Sequence, residues 1–210
     1  MVEAFDQSFY GIGYAAHWRC NMSRELILAS ASPRRRRLLK QIGLKFRVIP
    51  SDVNEDQVFH HDPLENVQAI ALSKARNVAA RVKRGIVIGA DTQVLADGDV
   101  LGKPDAPEDA VLMLSKLNGR THRVVTGTAL VDAETGLEET WVETTLVTFR
   151  ELSEDEIRSY VGTGEPMGKA GAYGIQGRAA AFVERIEGCY FNVVGLPLAK
   201  LVQKLRKFLV

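Results

Sequence analysis

Apolar and polar positions along the chain fall into short blocks that alternate between strand and helix patterns, which predicts an α/β fold. Leu26, Ile27 and Leu28 form an apolar run too short for a helix, so they read as a buried strand. Beyond Ala29-Ser30-Ala31-Ser32, Pro33 suits the first turn of a helix, where a missing N–H costs nothing. Leu38, Leu39 and Ile42 then share one helical face, and Gly43 stands where helices end in the left-handed conformation. A strand over Phe46–Pro50 is followed by a polar loop from Ser51 to Asp62. Pro63–Arg84 carries Val67, Ile70, Ala71, Ala75 and Val78 at helical spacing, with Lys74 interrupting the stripe. A lysine in that position either snorkels to solvent or is aimed into a cleft.

The next stretch, Gly85–Pro104, predicts a buried strand Ile86–Ile88 that ends at Gly89 and presents Asp91 and Thr92 at its end. A further strand turns at Asp97-Gly98 and leads to Lys103, again at a strand end. Asp105–Leu117 reads as a helix closed by Asn118-Gly119. Strand signals run through His122–Asp132, Leu137–Arg150 and the hairpin between them near Glu134–Gly136. Leu152–Val161 follows as a helix opened by the Ser153 and Glu156 capping box. Glycines 168, 171, 174 and 177 then surround Lys169, Tyr173 and Gln176, a density that permits positive φ and close backbone approach to a ligand. Their spacing matches neither a P-loop nor a dinucleotide fingerprint. Ala180–Ile186 and Cys189–Val194 are predicted strands joined at Glu187-Gly188, and Leu196–Leu209 a closing amphipathic helix.

Composition narrows the partners. With 210 residues and 46% apolar side chains, the chain suffices for one large α/β domain or two lobes around a cleft. Its 27 Lys and Arg against 26 Asp and Glu leave a formal charge of +1, which disfavours a nucleic-acid polymer or membrane surface as partner. Any phosphate binding must therefore be local. Two cysteines and four histidines give neither a disulfide framework nor a zinc spacing, so a reducing cytoplasm is expected. No run approaches the roughly 18 apolar residues of a membrane span. Residues 1–21 lack a strand or helix pattern and are expected to be a poorly ordered, dispensable extension, leaving residues 22–210 as a single domain.

Chemistry concentrates in three stretches. At the first strand-to-helix turn, helix N–H groups capped by Ser30 and Ser32, the positive end of the dipole, and Arg34 and Arg35 together suit an anion. The acidic loop holding Asp52, Glu55 and Asp56 reads as a surface loop or as a source of metal-binding carboxylates. Asp91 with Lys103 reads as a site outside strand ends, or as ordinary turn chemistry.

Taken together, LILASASPRRRRLL, the Glu55 and Lys74 segment, GADTQVLADGDVLGKP, GRTHRVVTGTAL and AGAYGIQGRAAAFVERIEGCYFNVVGLPL resemble, in order, the Maf family of nucleoside triphosphate pyrophosphatases. The resemblance runs from about Leu26 to the C-terminus. It implies a long twisted mixed sheet with flanking helices and two lobes around a cleft, similar to inosine triphosphate pyrophosphatases, often as a homodimer. The implied activity is that of a hydrolase that uses a divalent metal, Mg²⁺ or Mn²⁺, to cleave a nucleoside triphosphate into the monophosphate and pyrophosphate. Pro-Arg-Arg, Asp-Thr and Ile-Gln-Gly are of the type that prefers dTTP and UTP, so the resemblance assigns Arg34, Thr92 and Gln176 to specificity and Asp91 to proton acceptance.

The residue chemistry is compatible with these roles. Arg34, Arg35, Lys74 and Lys103 can surround a triphosphate, while Glu55 and Asp91 can hold the metal. A buried Gln176 amide would match the O4 and N3–H edge of thymine or uracil, and Lys169 and Ser30 complete the expected substrate-binding set. The implied biological role is house-cleaning of nucleotide pools, modified pyrimidine nucleotides included, together with cell-division arrest. The competing reading is a nucleotide-binding regulator or septum-formation inhibitor without significant turnover. A carboxylate at Asp91 argues against that reading, because it would repel phosphate unless a metal neutralised it.

Overall fold

The computed structural model describes residues 24–208, so the extension over residues 1–21 lies outside the described residues. Strand β1 (Leu26–Leu28) connects through helix α1 (Pro33–Gln41) to the parallel strand β2 (Phe46–Val48). Ser32 starts α1 by accepting the Arg35 N–H on its hydroxyl, Pro33 fills the first turn, and Gly43 follows at φ 73°. The acidic loop contains one 3₁₀ turn, Glu55–Gln57, before helix α2 (Pro63–Ala79). Asp62 caps that helix by accepting from Leu64 N.

Strand β3 (Ile86–Ala96) pairs parallel with β1 and antiparallel with β4 (Asp99–Leu101), through a tight turn with φ of 51° at Asp97 and 87° at Gly98. Helix α3 (Pro107–Leu117) precedes the long antiparallel hairpin of β5 (Thr121–Asp132) and β6 (Glu138–Phe149). Helix α4 (Glu154–Gly162), strand β7 (Val183–Glu187), the single turn α5 (Tyr190–Val194) and helix α6 (Leu198–Leu205) complete the described residues. They build a mixed seven-stranded sheet in the order β2-β1-β3-β5-β6-β7, with β4 paired to β3.

The two faces of the sheet are covered unequally. Ile27, Ala29, Val87, Ala129 and Val131 form a smaller cluster with Ala71, Ala75, Val78 and Ala79 of α2. Leu26, Leu28, Ile86, Ile88 and Leu130 point the other way into the main core, which also takes apolar side chains from α1, α3, α4, α5 and α6. Two strand glycines let α2 approach closely. A Cβ on Gly89 would lie 2.1 Å from the Ala71 carbonyl oxygen, and one on Gly127 would lie 2.2 Å from that of Val67.

The structure departs from the sequence expectations in particular places. Gly89 does not end a strand: β3 continues to Ala96 because β5 pairs with it from Ile86 to Leu95, so Asp91 and Thr92 stand mid-strand. The helix expected to reach Arg84 stops at Ala79, and the strand expected from Ala180 begins at Val183 after a 3₁₀ turn. Of the helix expected over Leu196–Leu209, the described residues form Leu198–Leu205 and a 3₁₀ turn at Arg206–Phe208. Cys189–Val194 is not a strand. Its β-branched character is overridden by Asn192, fully buried, whose amide donates to the Val124 carbonyl and the Thr145 hydroxyl at 2.9 Å each, while Gly195 at φ 119° ends the turn.

An aromatic cluster packs under one end of the hairpin. His122 Nε2 meets the Tyr173 hydroxyl at 2.9 Å, and the rings of His122, Phe149 and Tyr173 make mutual edge-to-face contacts. Only 2% of His122 is exposed, and burial pushes its imidazole pKa down to about 4 from 6.5.

This packing generates two expectations. Gly127→Ala should lower unfolding free energy by at least about 2 kcal/mol, because the new methyl meets helix backbone rather than a flexible side chain. Gly162→Ala, where a Cβ meets nothing within 4 Å, is the control; equal denaturation midpoints for the two would show that α2 can retreat freely. The second concerns pH. Between pH 6.5 and about 4 the unfolded chain protonates His122 while the folded one does not, so stability must fall as pH drops through that window, by up to about 3 kcal/mol from this group. Denaturation midpoints measured across the window should slope less in His122→Gln; an unchanged slope would show that the imidazole is not held neutral.

Candidate active site

Strand β1 pairs with β3 only through Leu26–Leu28, whereas β3 continues beyond it. The step in the sheet leaves a cavity of about 410 Å³ outside the carboxyl end of β1, with Asp91 and Thr92 of β3 in its wall. All ten sequence-predicted site residues line this cavity. The sequence pattern puts Asp91 and Lys103 at strand ends; Asp91 is instead central to β3, and it reaches the cavity because β1 is short rather than because β3 stops.

Lys74 resolves the ambiguity of the α2 stripe. It is 7% exposed, and its Nζ donates to Asp91 Oδ1 at 2.9 Å and pairs with Glu55 Oε1 at 2.8 Å. The lysine is therefore aimed into the cleft. Asp91, also 7% exposed, belongs to β3, and Glu55 to the 3₁₀ turn of the acidic loop, so one ammonium ties helix, strand and loop together. Removing Lys74 would leave the buried Asp91 carboxylate uncompensated, at a cost of about 3 to 5 kcal/mol, whereas loss of either carboxylate leaves the ammonium paired with the other.

On the other side of β3, Arg35 acts as a clamp. Its Nε donates to the Gly195 carbonyl at 2.8 Å, Nη1 to Ser30 Oγ at 3.2 Å and Nη2 to Thr92 Oγ1 at 3.0 Å. Ser30 Oγ also accepts the Ser32 N–H, so Ser30 shapes the turn between β1 and α1. Thr126, which sequence reasoning left unmarked within an alternating strand, completes the network. Its hydroxyl donates to the Asn192 carbonyl at 3.1 Å and lies 3.0 Å from Thr92 Oγ1. Because a hydroxyl has one proton, Thr92 must donate to Thr126 while accepting from Arg35. Thr92 thus turns an acceptor, not a donor, toward the cavity.

Arg34, Lys103 and Lys169 supply further positive charge, so five cationic side chains face two carboxylates in the cavity lining. Among the described residues neither Arg34 nor Lys103 makes an ion pair. Burial lowers the Arg34 pKa, as does neighbouring Arg37. Burial also lowers that of Lys169, followed by Arg34, against an opposing effect of Glu165. The Lys169 ammonium rests on the Glu165 carbonyl. Gln176 is exposed rather than buried, so the expectation of a buried amide is corrected. Its wall includes Tyr173 and Ile175, and two carboxyl-terminal features absent from the sequence expectation, the Gly195 carbonyl and the Glu165 anchor, hold the surrounding backbone.

Glu55 and Asp91 each give one carboxylate oxygen, Oε1 and Oδ1, to the Lys74 ammonium, so a divalent ion would have to be held by the second oxygen of each. No cluster of three or more His, Cys, Asp or Glu side chains suited to a metal occurs among the described residues. Two carboxylates are a hard-oxygen donor set compatible with Mg²⁺ or Mn²⁺. No helix among the described residues is long and apolar enough to cross a membrane.

The chain is similar to known proteins over most of its length. The dTTP/UTP pyrophosphatase of Moorella thermoacetica is 54% identical over 184 residues, covering 88% of this chain and 95% of that protein. The dTTP/UTP pyrophosphatase of Pelotomaculum thermopropionicum is 53% identical over 185 residues, covering 88% and 97%. A HAM1 protein from Coxiella burnetii shares the fold, with a TM-score of 0.50 and 16% identity over 88% of this chain and 99% of that one. The family model described as Maf-like protein matches residues 25–208, and with that span and those identities the chain belongs to the Maf family.

Proposed function

We propose that this protein is a nucleoside triphosphate pyrophosphatase that hydrolyses dTTP and UTP to the monophosphate and pyrophosphate. The observation that carries the reading is Asp91: a carboxylate fixed by Lys74 inside a cavity otherwise dominated by cations. A site that only bound a polyanion would gain nothing from an acid there, whereas hydrolysis needs a proton acceptor beside the attacked phosphorus. The names of the relatives at 54% and 53% identity support the same reaction.

In this reading Arg34 and Lys103 take phosphate oxygens, arginine through paired N–H donors and lysine as a point charge. Arg35, with three donors already engaged, chiefly holds Ser30 and Thr92 in place. Lys74 orients the Asp91 carboxylate, which accepts the proton of the attacking water as the bond between α and β phosphates breaks and pyrophosphate leaves. A divalent ion held by Glu55 and Asp91 would supply charge neutralisation on the phosphate oxygens. Base choice falls to Thr92 and Gln176. The acceptor at Thr92 suits the N3–H of thymine or uracil, whereas cytosine offers an acceptor at N3 and a donor at position 4.

Asp91→Asn should keep the fold and abolish pyrophosphate release, since the nearly isosteric amide neither accepts a proton nor holds a cation equally well. A folded variant with near-normal turnover would remove Asp91 from catalysis and favour some other base. The substrate reading is checked by specificity constants for dTTP, UTP, CTP, ATP and GTP, with Mg²⁺ and with Mn²⁺. One mismatched polar contact costs roughly 1 to 3 kcal/mol, so dTTP and UTP should lead by about one to two orders of magnitude. Gln176→Glu should compress that lead; equal constants for all five nucleotides in the original protein would overturn the assignment.

A further inference from the structure

The segment from Gly164 to Arg178 walls one side of the cavity through residues between Gly168 and Gln176, and little regular structure holds it: between α4 and β7 there are only two 3₁₀ turns, Ala170–Ala172 and Arg178–Phe182. Its fixed point is one carboxylate. Glu165 Oε1 accepts the Tyr160 hydroxyl proton at 3.0 Å, and Oε2 accepts the backbone N–H of Arg178 at 3.1 Å. The Tyr160 oxygen accepts in turn from the Gly174 N–H at 3.3 Å. The Glu165 carbonyl receives the Lys169 ammonium. Contact is close enough that a Cβ on Gly177 would lie 2.1 Å from Glu165 Oε1, and one on Gly174 would lie 2.9 Å from Lys169 Cε.

These contacts bracket Gln176. Gly174 before it is held through Tyr160 and Arg178 after it directly by the Glu165 carboxylate, while Gly177 lies close against that carboxylate. Both carboxylate oxygens are engaged and Glu165 does not line the cavity, so it has no route to the reacting atoms. Hydrogen bonds to an ionised acceptor are the strong ones, and here they substitute for the secondary structure that the glycines forgo.

We propose that Glu165 is a positioning residue for nucleobase selectivity: its carboxylate draws Tyr160 and the Arg178 backbone together, its carbonyl seats Lys169, and the loop so formed presents Gln176 to the base. The proposal rests on the dTTP and UTP reading of the same site. It separates the positions that read the base from the Asp91 and Lys74 centre that performs the hydrolysis.

The test compares Glu165→Ala, Glu165→Gln and Tyr160→Phe with the original protein. Pyrophosphate release with Mg²⁺ gives kcat and KM for dTTP, UTP and CTP, and amide hydrogen exchange follows residues 168–178. Glu165→Ala should lower the dTTP-to-CTP ratio of specificity constants roughly tenfold, chiefly through KM, with kcat changed by no more than about threefold. Exchange should accelerate in the loop and not in β3 or β5. Glu165→Gln retains one acceptor oxygen and should fall between. Tyr160→Phe keeps the ring on Phe182 but loses the hydroxyl, and should move the ratio in the same direction; it decides the matter if Glu165→Ala does not fold. An unchanged ratio, or a uniform loss of kcat on every nucleotide, would overturn the positioning role. Absence of a dTTP and UTP preference in the original protein sinks the substrate reading instead. The positioning role is then decided by whether the variants change the ratio between the best and worst nucleotides.

Discussion

Burying the Lys74 ammonium is possible only because two carboxylates reach it, Asp91 at 2.9 Å and Glu55 at 2.8 Å. Three elements distant in sequence must converge for that to happen. The helix has to lie on β3 near Asp91, and the acidic loop has to fold back over the end of β1 to deliver Glu55. Close approach of the helix is what the glycines of β3 and β5 allow, since a side chain at either position would meet helix carbonyls at about van der Waals-forbidden distances, 2.1 and 2.2 Å. The charged centre and the apolar packing of α2 are therefore one constraint: Ala71 and Ala75 bury against the sheet while Lys74, from the same stripe, enters the cleft.

The cleft itself comes from unequal strand lengths. Three residues of β1 pair with a strand of eleven, and the stretch of β3 between its pairings with β1 and β4 forms the cavity wall that carries Asp91 and Thr92. Alternation along that wall sorts the roles. Asp91 points to the α2 side and meets Lys74, whereas Thr92 points to the other side and meets Arg35 and Thr126. Adjacent residues thereby belong to two separate networks, one ionic and one of neutral hydroxyls closed by a guanidinium.

Much of this was legible in the residues, for physical reasons. The Ser32 cap, Pro33 and Gly43 define α1 through local backbone chemistry, and the Ser153 and Glu156 capping box does the same for α4. The resemblance brought together residues that proved to line one cavity. What local pattern could not carry was tertiary. Gly89 looks like a strand end until a helix is known to cross it, and Cys189–Val194 looks like a strand until Asn192 is seen to bond β5 and β6. Thr126, Tyr160 and Glu165 carry no local signal of partnership, since each acts through residues brought near by the fold or by an irregular loop.

The cations of the cavity divide by what already holds them. Lys74 is matched by carboxylates, and Arg35 is committed to a carbonyl and two hydroxyls, so neither is the principal reserve for a new anion. Arg34 and Lys103 make no ion pair among the described residues, and Lys169 is held only through a backbone carbonyl. Desolvation pulls the pKa values of Arg34 and Lys169 down, and each is near another positive charge. Keeping such groups charged and partly buried is unfavourable until an anion enters between them, at which point the same desolvation strengthens the attraction. A ligand with several negative charges relieves more of that repulsion than one with a single charge, and a cavity of about 410 Å³ gives it room beside the Asp91 carboxylate. The cations without a counter-charge therefore suit a polyphosphate better than a singly charged anion.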